Sequence, residues 1–501
     1  MTRALCLTSG DDVAVLIDDG TPGDTVLGVG LRDAIASGHK MALRCIAKGE
    51  TVRKYGQAIG IASTDIAAGS HVHTHNLSVG DGRAAVRADL PPATWTPPVP
   101  KEALPLTFAG YRRDNGSVGT RNAIGVISSV NCSATVVRRI ARQFEDNLPS
   151  GVDAVVPITH TRGCGMAGTG EAFETLERTL AGYARHANFG AVLMIGLGCE
   201  QVQIEGLLAH YGLAPGARLR TLSIQDAGGT AEAIDRGVGI VSDFVDLLKN
   251  DRRSECPVSD LVLGLQCGGS DGWSGITANP ALGAAADFLI AAGATVLLSE
   301  TPEIYGAEHL LLARAASPAV ANALDERIAW WERYASRNGV SLDNNPSPGN
   351  KAGGLTTIFE KSLGAISKAG TGPLNDVILY GAPCRHRGLV FMDSPGYDPC
   401  SATGQIASGA NLLAFTTGRG SAFGALPTPC LKIASNARLA AAMANDMDID
   451  CSPILDGMSV AEAGELIYRT LVATASGQET KSERLGLGDF EFVPWDMGAW
   501  L

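Results

Sequence analysis

Apolar residues fall into short runs separated by glycine, proline and charge, and the runs change character along the chain. Over the first 80 or so residues, short runs such as Lys40-Met41-Ala42-Leu43-Arg44-Cys45-Ile46 and Gly60-Ile61-Ala62 alternate with glycine and charged turns, which predicts a small β-rich module. The module closes on His71-Val72-His73-Thr74-His75-Asn76. Pro91, Pro92, Pro97, Pro98, Pro100 and Pro105 then crowd a stretch with little periodicity, which predicts a semi-rigid, extended linker. From Phe108 onward strands and helices alternate. Residues 124–127, 155–158 and 191–195 read as buried strands. Helices are expected through Val136 and Ile140, with Ser133 as N-cap, and from Glu171 to Tyr183. A polar stretch at 251–255 breaks the pattern. A second series follows, with strands at 261–265, 295–298, 377–379 and 412–415 and a helix over 282–290. The predicted fold class is α/β: a β-rich domain over 1–82, a linker over 83–107, an α/β domain over 108–255 and a C-terminal α/β domain over 256–501, with mostly parallel sheets.

Composition narrows the class. Of 501 residues, 45% are hydrophobic and 18% charged, so a large buried core is available. Net charge is −12, which argues against nucleic acid or anionic membrane as partner. An anionic substrate would need a local cluster of Arg or Lys. The Val13-Ala14-Val15-Leu16-Ile17 run is bounded by acids and does not read as a secretory segment, and no apolar stretch reaches the length of a membrane span. The 11 cysteines are scattered, which suits free thiols or metal ligands in a reducing, cytoplasmic compartment.

The predicted strands end in small, polar or thiol-bearing loops: 128–133, 159–165, 196–200, 267–271, 299–300 and 416–420. In parallel sheets ligands bind outside the carboxyl ends of the strands, so one edge is expected to gather the site. Cys267-Gly268-Gly269-Ser270-Asp271 is placed there. Cys6, Cys45, Cys256 and Cys451 read as packing residues. At least one of Cys132, Cys164, Cys199 and Cys267 is expected to serve a site, and single cysteines from separate strands could converge on an iron or iron–sulfur centre. No C-x-x-C pair supports a structural zinc ribbon. His71, His73 and His75 have period two, so on a strand they share a face and suit Fe(II), Mn(II) or Zn(II). Arg112, Arg121 and Arg419 are candidate carboxylate clamps. The Asn345 to Gly354 segment is rigid, polar and glycine-rich. It leads to a helix expected from Thr356 or Thr357 that carries Glu360 and Lys361.

These segments together resemble the altronate/galactarate dehydratase family across the whole chain. The resemblance rests on Gly38-His39-Lys40, the His71–Asn76 string, Tyr111-Arg112-Arg113, Gly196-Leu197-Gly198-Cys199-Glu200, Cys267 to Asp271 with Ser274 to Pro280, Asn345 to Gly354, and Thr417-Gly418-Arg419-Gly420. It implies an N-terminal SAF-type β domain before an α/β lyase region. It also implies dehydration of an aldonic or aldaric acid to a 2-keto-3-deoxy acid with a divalent metal, Fe(II) first and Mn(II) second, with an iron–sulfur cluster left open. On this reading Lys351, Asp271, Glu300 and Glu360 are candidates for proton transfer. Arg112, Arg121, Ser270, Asn350 and Arg419 would hold substrate. His71, His73 and His75, with Cys132 or Cys267, would hold metal. The expected partner is a small sugar acid, altronate before galactarate, and a homo-oligomer, most simply a dimer, is expected. Three alternatives stand beside it: a sulfolactate sulfo-lyase, a thiol or iron–sulfur redox enzyme, and a non-catalytic carbohydrate-binding protein. One position departs from the family: Phe359 precedes Glu360 where relatives often carry an acid.

Overall fold

The computed structural model describes residues 2–79, 95–145 and 148–497. The part of the predicted linker over 83–94 lies outside them. The N-terminal module is built from two small antiparallel sheets and a two-stranded hairpin that pairs Thr25–Val26 with Val29–Gly30. Strands β1 (Ala4–Leu5), β2 (Val13–Leu16), β3 (Lys40–Ala42), β4 (Thr51–Lys54), β5 (Gln57–Ala62), β6 (His71–Val72) and β7 (Leu77–Ser78) pair in the orders β1-β2-β3-β6 and β4-β5-β7. Strand β2 is apolar at every position because both its faces are covered. Ala14 and Leu16 enter the module's own core with Ile35 and Met41, while Val15 packs on Trp273 and Ile276 of the C-terminal region. The alternation along β2 thus docks the module, since each fully buried apolar side chain contributes about 1.5–3 kcal/mol.

The middle region is a covered parallel sheet. A short antiparallel sheet, β8 (Thr107–Arg112) between β9 (Val118–Gly119) and a later strand, leads into it. Strands β10 (Ala123–Ser128), β11 (Val155–Ile158), β12 (Phe189–Gly196) and β13 (Leu219–Ser223) run parallel in the order β11-β10-β12-β13. Helix α1 (Ala134–Ala141) packs through Val137 and Ile140, and α3 (Thr230–Leu248) through Phe244, on the face carrying Ile124, Val126 and Leu193. Helix α2 (Glu171–Ala184) packs through Leu176 and Leu180 on the opposite face with Ile127 and Met194. Strand β14 (Ser254–Pro257) pairs antiparallel with β8, so the 255/256 boundary expected from sequence falls within a strand.

The C-terminal region holds seven parallel strands: β15 (Val262–Cys267), β16 (Thr295–Ser299), β17 (Leu374–Ile378), β18 (Gly388–Met392), β19 (Leu412–Thr417), β20 (Cys430–Ala434) and β21 (Ile449–Asp450). Their order is β17-β18-β16-β15-β19-β20-β21. The chain winds one way from β15 and then returns to start the other way at β19, so the strand order reverses between β15 and β19. Helices α4 (Ala278–Ala291), α5 (Pro348–Ala352), α6 (Ile358–Ile366), α7 (Asp398–Ala407) and α8 (Val460–Ala475) surround this sheet. Helix α6 starts after Thr357, whose side chain caps it by accepting from the Glu360 N–H. The α/β class with an N-terminal β domain and mostly parallel sheets holds.

One expectation about layout changes. The six polar strand-end loops do not share one edge, because the parallel strands divide into two sheets. Loops 128–133, 159–165 and 196–200 end the four-stranded sheet. Loops 267–271, 299–300 and 416–420 end the seven-stranded one.

Candidate active site

At the strand-order reversal the loops after β15 and β19 are joined by backbone bonds. The N–H groups of Gly418 and Arg419 donate to the Gly269 carbonyl at 3.1 and 3.0 Å. Such a reversal opens a crevice at the carboxyl ends, where ligands bind in open α/β sheets. A cavity of ≈ 670 Å³ lies there, between the sheet edge and the N-terminal module. His39, Asp271, Arg419, Asn436 and Arg438 line it. That volume lies within the usual range for small-molecule pockets.

Asp271 is the buried carboxylate of this cavity. Its Oδ1 accepts from the N–H and hydroxyl of Ser274 at 2.9 and 2.8 Å and from the Ser435 hydroxyl at 2.9 Å. Its Oδ2 accepts from Asn436 Nδ2 at 2.9 Å. Burial raises the Asp271 pKa, and the donors from Ser274, Ser435 and Asn436 oppose that rise. Space for the carboxylate depends on glycine: a Cβ at Gly418 would stand 2.2 Å from Asp271 Oδ1. At Gly272 a Cβ would meet the Gly38 carbonyl at 2.1 Å, so the module's backbone comes directly against the loop.

Four imidazoles sit on the module side. His39 lies 5.2 Å from His71 and 5.3 Å from His73 between ring centroids, and His71 lies 5.2 Å from His73 and 5.6 Å from His75. The sequence expectation of one strand face is corrected in its geometry. Strand β6 ends at Val72, and a turn carries the other two rings. Asn76 closes that turn: it accepts from the His73 N–H at 2.9 Å and donates to the His71 carbonyl at 2.9 Å. His39 comes from the turn before β3 and had no sequence signal beyond its place in Gly38-His39-Lys40.

The outer nitrogens of two rings face backbone carbonyls at the end of α5. His73 Nε2 lies 2.9 Å from the Lys351 oxygen and His39 Nε2 lies 3.3 Å from the Ala352 oxygen. Donation there fixes the tautomer and leaves each Nδ1 as a lone pair. His39 Nδ1 is 3.1 Å from His71 Nε2. Burial and neighbouring His39 and His73 push His71 down to about 4, and burial also lowers His39 and His73. The rings are therefore neutral near pH 7, the form that ligates metal.

A second cluster lies deeper on the same edge. Ligand atoms of Cys267, Glu300 and Glu303 fall within 4.8 Å of one another, the one such group among the described residues. Lys368 Nζ stands 2.8 Å from Cys267 Sγ and 3.9 Å from Glu300 Oε2. Lys361 and Asn345 both bond Glu303. Burial raises Glu300 well above the ordinary carboxyl value and pushes Cys267 up to about 11. Burial opposes ionisation of Glu303 as well, but Lys361 and Lys368 prevail and lower it. Burial, with Glu303 nearby, pushes Asp398 up to about 7. The donor set is that of a metal site, yet two lysines already supply its positive charge.

The remaining predicted residues fall elsewhere. Glu360 is fully buried between Lys40 at 2.9 Å and Lys54 at 2.8 Å, tying α6 to the module. Burial would raise its pKa, but the two ammoniums hold it well below the usual carboxylate range. Burial in turn pushes Lys40 down to about 8. Phe359, the departure from the family, turns its ring onto Gly306. Lys351 stands on α5 and contributes its carbonyl to His73. Asn350 donates to the Ser270 carbonyl at 2.8 Å, joining α5 to the loop after β15.

Two of the expected carboxylate clamps are used otherwise. Arg121 is buried and bonds both Glu483 oxygens, at 2.6 and 2.9 Å. Arg112 lies on β8 with its guanidinium 3.5 Å from Cys256 Sγ. Cys132 is exposed on the middle region, at the end of the other sheet. Sequence reasoning missed Arg438 and Asn436. They follow β20, a strand masked by the buried Lys432 in its centre.

Comparison with known proteins agrees with this layout. Family profiles match in three successive blocks: the altronate/galactarate dehydratase SAF domain over residues 2–80, the second domain of D-galactarate dehydratase/altronate hydrolase over 110–249, and the D-galactarate/altronate dehydratase C-terminal domain over 258–500. An altronate dehydratase of Escherichia coli is 37% identical over 95% of both chains. A galactarate dehydratase (L-threo-forming) of Escherichia coli is 38% identical over 95% of this chain and 94% of its own. The β subunit of a (2R)-sulfolactate sulfo-lyase of Chromohalobacter salexigens is 33% identical over 77% of this chain and 96% of its own. The family is consistent with a divalent metal, and no helix among the described residues is long and apolar enough to cross a membrane. With all three blocks in order and relatives matched over nearly their full length, the chain belongs to the altronate/galactarate dehydratase family.

Proposed function

We propose that this protein is a hydro-lyase that dehydrates a sugar acid, altronate first, to its 2-keto-3-deoxy acid. The observation that carries the reading is the cavity where Asp271, Asn436, Arg419 and Arg438 meet the histidine face at His39. Arg419 and Arg438 supply the local positive charge that a chain of net charge −12 needs to hold a carboxylate. Asp271 Oδ2, which accepts from Asn436, takes the C2 proton. Asn436 holds that oxygen in place. Departure of the C3 hydroxyl then completes the loss of water, and the enol rearranges to the ketone.

His39, His71 and His73 fit a divalent cation, because all three are neutral and two have their outer nitrogens turned to carbonyls. Such an ion, Fe(II) before Mn(II), polarises the carboxylate and the leaving hydroxyl when bound. His75, exposed at 5.6 Å from His71, completes the histidine face. In the deeper cluster Lys361 and Lys368 supply the cation, and Glu300 stays protonated as a proton store. The eleven free cysteines accord with a reducing, cytoplasmic setting, and a homodimer remains the expected assembly.

Galactarate is the second reading, since its dehydratase is as similar to this chain as the altronate enzyme. The test is an anaerobic assay with Fe(II) on altronate, galactarate and sulfolactate, detecting 2-keto-3-deoxy acids and sulfite. Turnover of altronate well above the others supports the reading. Sulfite release without any keto acid overturns it.

A further inference from the structure

The edge of the four-stranded sheet carries chemistry that the cavity does not use. Four of the eleven cysteines are exposed, and three of them, Cys132, Cys164 and Cys199, sit in the loops after β10, β11 and β12. Those strands are hydrogen-bonded neighbours, so their carboxyl ends stand side by side. The loops are also bonded to one another beside each thiol. The Asn131 N–H donates to the Arg162 carbonyl at 2.9 Å, and the Gln201 N–H donates to the Gly163 carbonyl at 2.9 Å. The Ser129 hydroxyl donates to Glu200 Oε1 at 2.8 Å. Gly163, with φ of 99°, lets the second loop lie on the first: a Cβ there would stand 2.5 Å from the Ser129 carbonyl. The Cys164 loop is held from outside as well, by the ion pair of Arg162 with Asp496 and the contact of His160 with Phe492. Cys132 stands just before the eight-residue α1.

We propose that Cys132, Cys164 and Cys199 hold an iron–sulfur cluster at this edge. Three thiolates with no imidazole among them suit iron–sulfur ligation better than an oxygen-seeking cation. The nearby His160 and Glu200 are already engaged with the Ser128 carbonyl and the Ser129 hydroxyl. A single ion also requires its ligand atoms close together, and these three sulfurs are not among the groups that gather within 4.8 Å. A cluster places each thiolate on a different iron, so its sulfurs stand further apart than the shell of one ion. Four-iron clusters take four protein thiolates when every iron is protein-held. Three leave one iron open to water or to the oxygen of a small hydroxy acid. The inference does not rest on the substrate proposed above.

The test is anaerobic reconstitution of the full chain with Fe(II) and sulfide, reading acid-labile sulfide per chain and visible absorption. Sulfide separates a cluster from iron bound at the histidine face. The wild type should take up roughly four sulfides and absorb broadly in the visible. A C132S/C164S/C199S variant should fall at least tenfold in both, with its far-UV circular dichroism unchanged. Cys45→Ser, the exposed cysteine of the module, should match the wild type. If the triple variant does not fold, the three single variants decide, each expected to lose more than half of the sulfide. The proposal is overturned if the wild type takes up no sulfide, if the cysteine variants retain it, or if one zinc per chain binds at these cysteines and excludes sulfide.

Discussion

His73 donates through Nε2 to the backbone carbonyl of Lys351 at 2.9 Å, so a turn of the N-terminal module is oriented by a helix of the C-terminal region. The bond directs Nδ1 away from α5. His73→Ala removes both the proposed ligand and this tie. Metal affinity should fall by about 10–100-fold, the usual cost of disturbing such a set. Anaerobic Fe(II) titration of turnover measures it, and an unchanged midpoint would contradict the assignment.

Asp271→Asn keeps the shape of the side chain and removes its basicity. Loss of a positioned base costs about 10²–10⁴ in rate. The effect should appear in kcat, with the circular dichroism spectrum unchanged. A variant with wild-type kcat would remove Asp271 from the chemistry.

Arg419→Ala and Arg438→Ala are expected to act on KM for the sugar acid more than on kcat. A lost charge-assisted contact costs about 1.5–3 kcal/mol, or roughly 10–100-fold. Steady-state kinetics on both variants check this, and an unchanged KM in both would place the carboxylate elsewhere.

Glu360→Gln leaves Lys40 and Lys54 buried without their counter-charge. Removing one partner of a buried ion pair costs about 3–5 kcal/mol. Denaturant unfolding should show that loss. The sign with pH follows from the lowered pKa: the stability due to Glu360 is complete above the ordinary carboxylate value, and it declines progressively as pH falls from there through the lowered one. Wild-type stability due to this pair should therefore begin to fall below the ordinary carboxylate value.

The histidine face has a consequence of the same sign nearer neutrality. His71 is lowered from 6.5 to about 4, so the unfolded chain binds more protons than the folded one between those values. Stability should decline as pH falls through that window. Thermal melting against pH, with His71→Gln flattening the decline, measures it.

Much of the fold was legible because buried parallel strands read as apolar runs and the intervening helices show a different period. Strands β10, β11, β12, β15, β16 and β19 stand where those runs predicted. Strand β20 was hidden because Lys432 is buried mid-strand, and with it went Asn436 and Arg438. The cavity's Asp271 and Arg419 were legible as strand-end groups. Arg121 was misleading, since an arginine bonded to Glu483 inside the protein and one free to clamp a substrate look alike in sequence. His39 was not legible because its partners are 32 and more residues away and are gathered by strand pairing and a turn.

The central claim is that this cavity dehydrates a sugar acid with help from the histidine face. The most direct measurement is anaerobic product analysis by mass spectrometry with altronate and Fe(II), on the wild type and on His71→Ala. The wild type should form the 2-keto-3-deoxy acid, lighter than substrate by one water. His71→Ala should form at least a hundredfold less while remaining folded. Equal product from both proteins, or none from the iron-loaded wild type, would contradict the claim.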